Sequence, residues 1–528
     1  MPRGTGRTFR AGSSPRHGDG PGSGLVGRPR LWSTRYVGEE VSQIQFSREQ
    51  RQRYREKVQL CLDVFERMLA SSDFDAEQPL TGLELELNLV DADYQPFFGN
   101  MGVLEEITDP AFQTELGAFN IEFNVPPGVL GGDSLLHLER DLRASLNAAQ
   151  TRANRRGGHI VMVGILPTLL QQHIDSPQWM SPSARYAALN DSVFAARGED
   201  IRLDIAGVER LSTFASTLAP ESACTSLQLH LQVAPQDFAR TWNAAQVLAG
   251  PQLALGANSP FFLGRELWRE TRIELFGQST DTRPQELRNQ GVRPRVWFGE
   301  RWVTSIFDLF EENVRYFPAL LPEVSDEDPA AELEAGRAPR LSELRLHNGT
   351  VWRWNRPVYD VVGGQPHVRV ENRVLPAGPT VLDVLANAAF YYGALRVLSE
   401  DDRPVWSKLS FSTAEENFTA CAQRGIDAQI YWPGLGEVTV DELVLRRLLP
   451  MAHDGLERWG VSAAARDRFL GVIEQRAKTG RNAASWQTET VHALEARGLP
   501  RVEALTEMLR RYCTGMHANE PVHTWPID

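Results

Sequence analysis

Between Thr81 and Leu375 the chain holds six short segments in which apolar and polar residues alternate strictly. A period of two places alternate side chains on opposite faces of a β-strand. In residues 83–89 (LELELNL) the leucines oppose Glu84, Glu86 and Asn88, and in residues 120–124 (NIEFN) Ile121 and Phe123 oppose Asn120, Glu122 and Asn124. Residues 227–233 (LQLHLQV) set Gln228, His230 and Gln232 against four apolar residues, and residues 272–275 (RIEL) set Arg272 and Glu274 against Ile273 and Leu275. Residues 343–347 (ELRLH) gather Glu343, Arg345 and His347, and residues 367–375 (HVRVENRVL) gather His367, Arg369, Glu371 and Arg373.

Helical spacing brackets these segments. Over residues 47–69, Tyr54, Val58, Cys61, Leu62, Phe65, Met68 and Leu69 recur on one face of a helix. After Thr380 the patterns turn helical: VLDVLANAAFYYGALRVL, VDELVLRRLLPMAHDGLERW, RDRFLGVIEQRA and VEALTEMLRRY. Polar, turn-rich residues 277–294 and 322–340 read as surface loops or lids. The prediction is an α+β fold: a curved, mainly antiparallel sheet of about six strands with a polar concave face, flanked by helices and followed by a helical C-terminal part. Three regions are expected: a tail over 1–40, a main domain over 41–400, and a helical region over 401–528 packed on it.

At 528 residues, 42% hydrophobic and 23% charged, the chain is too long for a small binding module and is ordinary for a globular protein. Its net charge of -13 argues against nucleic acid and anionic membranes as partners. Residues 1–35 run against that balance, with seven arginines, one acid and many Gly, Ser and Pro, and read as a disordered tail. No uninterrupted apolar run reaches the roughly 18 residues of a membrane span, and no apolar signal core opens the chain. Cys61, Cys224, Cys421 and Cys513 are far apart and form no CxxC pair, which fits a reducing cytoplasm.

An antiparallel sheet open to water also alternates, so pattern alone does not make a site. The choice of polar residues adds to it. None of the six polar faces carries a lysine; Glu, His, Arg and Asn predominate, the set that ligates hard cations and clamps phosphates or carboxylates. Glu84 and Glu86, at i and i+2, point the same way and would repel without a cation between them. Glu115 and Glu122 add carboxylates, and Glu371 beside Arg373 sets an anion next to a fixed cation. Such a face suits phosphoryl transfer.

Several motifs in one order resemble the glutamate-cysteine ligase family, which shares its fold with glutamine synthetase. Gly82-Leu83-Glu84-Leu85-Glu86 resembles its G-x-E-x-E first strand; Glu115 and Glu122, seven apart, its second acidic element; Gln228-Leu229-His230 its central strand. Ala257-Asn258-Ser259-Pro260-Phe261 resembles a family turn, and Val370-Glu371-Asn372-Arg373 the late E-x-R strand. The resemblance spans about residues 80–400. It implies ATP-dependent amide formation, in which the γ-carboxylate of glutamate is phosphorylated and an amine, cysteine above all, displaces the phosphate. It also implies that Glu84, Glu86, Glu115, Glu122, His230 and Glu371 hold Mg²⁺. Arg373 would meet the transferring phosphoryl group with Arg369 as a second nucleotide contact, and Arg272 the carboxylate of the amino-acid substrate.

Nothing local marks a cysteine pocket, so a different amine remains open, as do a non-catalytic metal- or amino-acid-binding homologue and a kinase that stops at the phosphorylated acid. No P-loop G-x-x-x-x-G-K-[ST] is present. Trp297, Trp352 and Trp354 are candidates for an adenine or substrate pocket against a plain packing role. Lys478 to Asn482 read as an inter-helix turn, His347 and His367 as hydrogen-bonding groups, and Cys224 as a structural thiol.

Overall fold

Four of the six alternating segments are strands of one curled antiparallel sheet. The computed structural model describes residues 46–527, and the Arg-rich tail expected to be disordered lies outside the described residues. The sheet comprises β1 (Leu80–Val90), β2 (Phe112–Thr114), β3 (Asn120–Val129), β4 (His159–Val161), β5 (Ser226–Val233), β6 (Asn355–Val362) and β7 (Gln365–Pro376). Its order is β6-β7-β5-β1-β3-β2, with β4 paired to the end of β1. One face carries the buried aliphatic residues Leu83, Leu85, Leu87, Leu227, Leu229, Val368 and Val370. The other carries the polar residues.

The aliphatic face packs on the helix Phe238–Gly256, and the helix Val381–Glu400 packs beside that helix. The Tyr392 hydroxyl reaches the carbonyls of Gly82 and His230, each at 3.0 Å, and so ties that second helix to β1 and β5. Val381–Glu400 comes nearest to span length among the described residues, although Asp383, Asn387 and Arg396 interrupt its apolar run as expected. It is long and apolar enough to cross a membrane by length and composition, and 89% of that window is buried in the protein. A helix apolar all round is what a central layer between sheet and outer helices requires. The buried Arg476 locks it to its neighbours, with Nη2 2.8 Å from Asp383 and Nη1 donating to Asn387 at 2.6 Å and to the Leu255 carbonyl at 3.2 Å.

Two segments expected as strands are helical. Arg272–Leu275 falls within the helix Thr271–Ser279, and Glu343–His347 within the helix Ser342–Asn348. Four or five residues match a period of two and a period of 3.6 almost equally well, so the flanks decide. Asn348-Gly349 stops the second helix at its C-terminus, a helix signal and not a strand signal. In that helix Glu343 and His347, one turn apart, are both buried, while Arg345 turns to Asp360 at 2.9 Å. In the first helix Glu274 accepts from Gln278 at 2.6 Å, away from Arg272.

The predicted loops contain short helices at Gln285–Asn289 and Pro329–Glu334. The last third is helical as expected, except for a hairpin of Gln429–Trp432 with Gly436–Thr439. The opening helix is Arg48–Ser71, capped by Ser47. The helix Leu449–Arg458 crosses Val381–Glu400 at a glycine contact. A Cβ on Gly455 would fall 1.8 Å from the Gly393 carbonyl oxygen, and one on Gly393 would fall 2.3 Å from that of Ala452. Gly455→Ala is therefore expected to destabilise the protein by about 1–3 kcal/mol through overpacking. Gly471→Ala, on the helix Ala463–Thr479 where an added Cβ meets nothing within 4 Å, is expected to be neutral or to gain up to about 1 kcal/mol. Chemical denaturation of the two variants checks the pair, and equal midpoints would show that the helices can part at no cost.

Candidate active site

Register converts the strand pattern into a cluster. In the β1–β3 ladder Glu86 lies opposite Glu122 and Glu84 opposite Asn124, and in the β1–β5 ladder Glu84 lies opposite Gln228. Glu115, just beyond β2, completes the group: carboxylate oxygens of Glu86, Glu115 and Glu122 lie within 4.8 Å of one another. Glu86 is oriented by the Ser226 N–H at 2.6 Å and the Gln228 side-chain amide at 2.8 Å, and Glu122 by Asn124 at 2.6 Å.

These hydrogen bonds do not neutralise the charge. Burial, with the Glu115 carboxylate close by, pushes Glu86 up to about 7. Burial and the carboxylates of Glu84, Glu115 and Glu86 hold Glu122 well above the usual range. Glu221, on the same cavity wall, is pushed up to about 8 by burial, Glu115 and Glu86. Glu86 and Glu122, raised by burial and by neighbouring carboxylates, lie with Glu115 in a group whose oxygens are close enough to share one ion, which fits a hard divalent cation.

The other half of the face has the opposite balance. Glu371 lies opposite both His230 on β5 and Arg356 on β6. Arg356 grips it with a fork, Nε at 3.0 Å from one oxygen and Nη2 at 2.7 Å from the other, and Arg373 makes a second, short contact. Burial alone would raise the Glu371 carboxyl, but Arg356 and Arg373 together hold it far below the usual carboxylate range. Burial would likewise raise Glu84, yet His230, whose Nε2 is 3.2 Å away, brings it below its ordinary value. Arg369 donates to His230 Nδ1 at 3.2 Å, which orients the ring so that Nε2 faces Glu84. Arg373 also donates to Gln228 at 2.6 Å, so a chain of contacts runs from Glu371 through Arg373 and Gln228 to Glu86.

The residues expected from the sequence thus fall into two adjoining groups: Glu86, Glu115 and Glu122 in one, and Glu84, His230, Glu371, Arg369 and Arg373 in the other. Arg272 reaches the cavity wall, but its guanidinium is committed to Glu270 at 3.0 Å, to the Arg373 carbonyl at 3.4 Å and to the Val374 carbonyl, with Trp354 beneath it at 5.5 Å. Trp297 lies between the guanidinium groups of Arg293 at 5.3 Å and Arg353 at 4.9 Å, so both are already stacked on it. Trp352 and Trp354 line the cavity. Cys224 lines it too, with a thiol that burial pushes far up and keeps protonated. His347 is down at about 4 through burial, with Nε2 2.9 Å from the Asn313 carbonyl. Lys478 is occupied by Glu474 at 2.7 Å, on the last turn of its helix.

Sequence reasoning missed Arg356, Arg185, Tyr186 and Glu221, all of which line the cavity. A signal for Arg356 existed. Gly363-Gly364, at φ 60° and 81°, is the two-glycine turn of a tight hairpin, and Arg356, Val358 and Asp360 alternate before it. Pro357 obscured the strand, which tolerates it by lying on the edge of the sheet.

Comparison with known proteins bears on this arrangement. The family described as glutamate-cysteine ligase family 2 (GCS2) matches residues 80–514. Among solved structures, the chain is similar to the glutamate-cysteine ligase of Francisella tularensis, solved in complex with AMP, at 13% identity and a TM-score of 0.51, over 85% of this chain and 91% of that one. It is also matched to a bifunctional glutathione synthetase of Pasteurella multocida, at 12% identity and a TM-score of 0.49, over 88% of this chain and 55% of that one. No curated protein matches it in sequence. At these identities the structural likeness is one of fold.

Crowded carboxylates that await an ion destabilise the protein without it. Glu122→Gln keeps size and removes one charge, so the metal-free variant is expected to be more stable than the parent by about 0.5–2 kcal/mol. The rise in denaturation midpoint on adding Mg²⁺ or Mn²⁺ should shrink or vanish. Thermal denaturation with and without metal checks both signs. A less stable variant with an unchanged metal response would mean that these carboxylates are structural.

Proposed function

The chain belongs to glutamate-cysteine ligase family 2, and from that premise we propose that it is an ATP-dependent carboxylate-amine ligase that builds a γ-glutamyl amide through an acyl phosphate, with cysteine the first acceptor to test. The observation that carries the reading is the pairing, on the walls of one cavity, of a carboxylate cluster fit for a divalent cation with Arg356 and Arg373, the two arginines that hold the buried Glu371. Bound Mg²⁺ would neutralise the phosphate oxygens of ATP at Glu86, Glu115 and Glu122, with Glu84, His230 and Glu371 available for further ions.

The chain's own residues supply position and charge. Arg373, partly buried and raised above its usual range by Glu371 and Glu86 despite desolvation, remains a fixed cation at any working pH. It suits the charge that spreads over a phosphoryl group in transit, as an arginine fork does elsewhere. Arg356 and Arg369 hold Glu371 and His230 in place from behind. In the first step an oxygen of the glutamate γ-carboxylate bonds to the γ-phosphorus of ATP as the bond to ADP breaks. In the second, the amine nitrogen attacks the acyl carbon, phosphate leaves with its oxygen, and the amine loses a proton. Leu189, Leu321, Phe276 and Trp352 give the cavity an apolar stretch of wall, and exclusion of water there would let an acyl phosphate survive until the amine arrives. The four cysteines are unpaired, three of them buried, which suits work in a reducing cytoplasm.

A binding-only homologue would have no reason to keep all six acidic and histidine positions together with Arg373. A screen for ADP release with glutamate and a panel of amines, cysteine first, separates the readings. Release that requires both glutamate and an amine is expected. Release with glutamate alone indicates a kinase, and none with any pair indicates a binding protein. Arg373→Lys keeps the charge and loses the fork. It should cut turnover about 100-fold with the metal dependence unchanged, and a near-normal rate would remove Arg373 from the transfer step.

A further inference from the structure

Five arginines line the cavity: Arg185, Arg272, Arg353, Arg356 and Arg373. Four are committed. Arg272 is held by Glu270 and two carbonyls, Arg353 by Glu312 and Asn313 at 3.0 Å each, and Arg356 and Arg373 by Glu371. Among the described residues Arg185 has neither a hydrogen bond nor an ion pair, and it is half-buried. A guanidinium left without an anion inside a cavity, on a wall whose neighbours Glu115 and Glu221 are acidic, is set up for an anion that arrives from outside.

Its support is rigid. Arg185 stands in the first turn of the helix Ala184–Arg197, and Leu189, one turn on, lines the same cavity. The next residue, Tyr186, donates its hydroxyl to the Thr114 carbonyl at 3.0 Å, beside Glu115. Ahead of the helix, the Ser181 N–H donates to the Leu116 carbonyl at 2.9 Å, and at its middle Asn190 accepts from the Leu218 N–H at 3.1 Å. The N-terminal half of the helix is thereby pinned, ahead of its first turn and at its middle, to the segments that carry Glu115 and Glu221, and Arg185, between the two contacts, has a fixed place relative to the acidic cluster.

We propose that Arg185 is the specificity-determining residue that binds the α-carboxylate of an amino-acid substrate, in place of Arg272, to which the sequence resemblance gave that role. The inference rests on the ligase reading and deepens it: the ligand is a zwitterionic amino acid, its carboxylate on Arg185 and its ammonium toward the acidic wall. The carboxylate can belong to the acid that is activated or to the acceptor.

Removing only that carboxylate from the ligand tells the two apart. 4-Aminobutyrate is glutamate without its α-carboxylate and keeps the reacting carboxyl, and cysteamine is cysteine without its own. The wild-type enzyme should prefer each amino acid to its analogue. In Arg185→Gln one of the two preferences should fall 10- to 100-fold in kcat/KM while the analogue's own kcat/KM, the KM for ATP and the Mg²⁺ response stay as they were. Arg185→Lys should restore part of the preference. Collapse of the glutamate pair assigns Arg185 to the activated acid, and collapse of the cysteine pair to the acceptor. Equal losses for substrates and analogues, or a change confined to the KM for ATP, overturn the proposal. Should the wild type release no ADP with any pair, the ligase reading fails separately, and binding still decides on Arg185. Stabilisation by glutamate but not by 4-aminobutyrate in thermal denaturation, lost in Arg185→Gln, upholds the carboxylate contact. No difference between glutamate and 4-aminobutyrate with the wild type removes it.

Discussion

The register of β1 against its two neighbours is the constraint from which the site follows. With Glu86 across from Glu122 on one side and Glu84 across from Gln228 on the other, the acidic residues must crowd on the concave face. A slip of one residue would turn every carboxylate into the core and every leucine into the cavity. The leucines prevent it. Leu83, Leu85, Leu87 and Leu89 are all buried, each worth about 1.5–3 kcal/mol on burial, so the ladder outweighs the repulsion that it imposes on Glu86 and Glu122. Carboxylates that would separate in a flexible loop are held together by apolar residues on the other side of the same strand.

The cavity is divided in charge, and the division falls between strands. Toward β2 and β3 the carboxylates Glu86, Glu115 and Glu122 have no ion pair among the described residues, whereas toward β6 and β7 both Asp360 and Glu371 are paired with two arginines. Gln228 joins the halves, accepting from Arg373 and donating to Glu86. Any anion that drew Arg373 toward itself would also free the Gln228 carbonyl and loosen one of the two donors on Glu86. In the proposed reaction, phosphate placement and cation placement would be coupled through this single amide.

How far the sequence reveals this depends on segment length and on edges. Residues 83–89, 227–233 and 367–375 have enough alternating positions to exclude a helix, and all three are central strands. Residues 120–124 are shorter but begin a ten-residue strand. Residues 272–275 and 343–347 do not exclude a helix, and both are helical. The edge strand β6 went unread because Pro357 breaks the appearance of a strand where no inner neighbour needs its N–H. Glu86, Glu115 and Glu122 meet through strand pairing that the motif order of the family resemblance already implied. Arg185 and Glu221 reach the cavity from a helix and a short turn outside every motif, and no local pattern distinguishes them from surface charges.

Residue type alone cannot separate arginines that wait for a ligand from arginines that hold the fold. The absence of lysine from the polar faces pointed to guanidinium chemistry, and guanidinium groups do fill the site, but much of that chemistry is internal. Arg295 bridges the carbonyls of Pro318 and Thr350, Arg353 grips Glu312, Arg476 ties Asp383 to Leu255 and Asn387, and Arg272 clamps β7 to the helix that follows Glu270. A planar fork with five donors serves a buried carbonyl cluster as well as it serves a phosphate. What distinguishes the two uses is the count of partners already present, a property of the folded chain. Arg272 has its acceptors within the protein, whereas Arg185, on the same cavity, has none among the described residues.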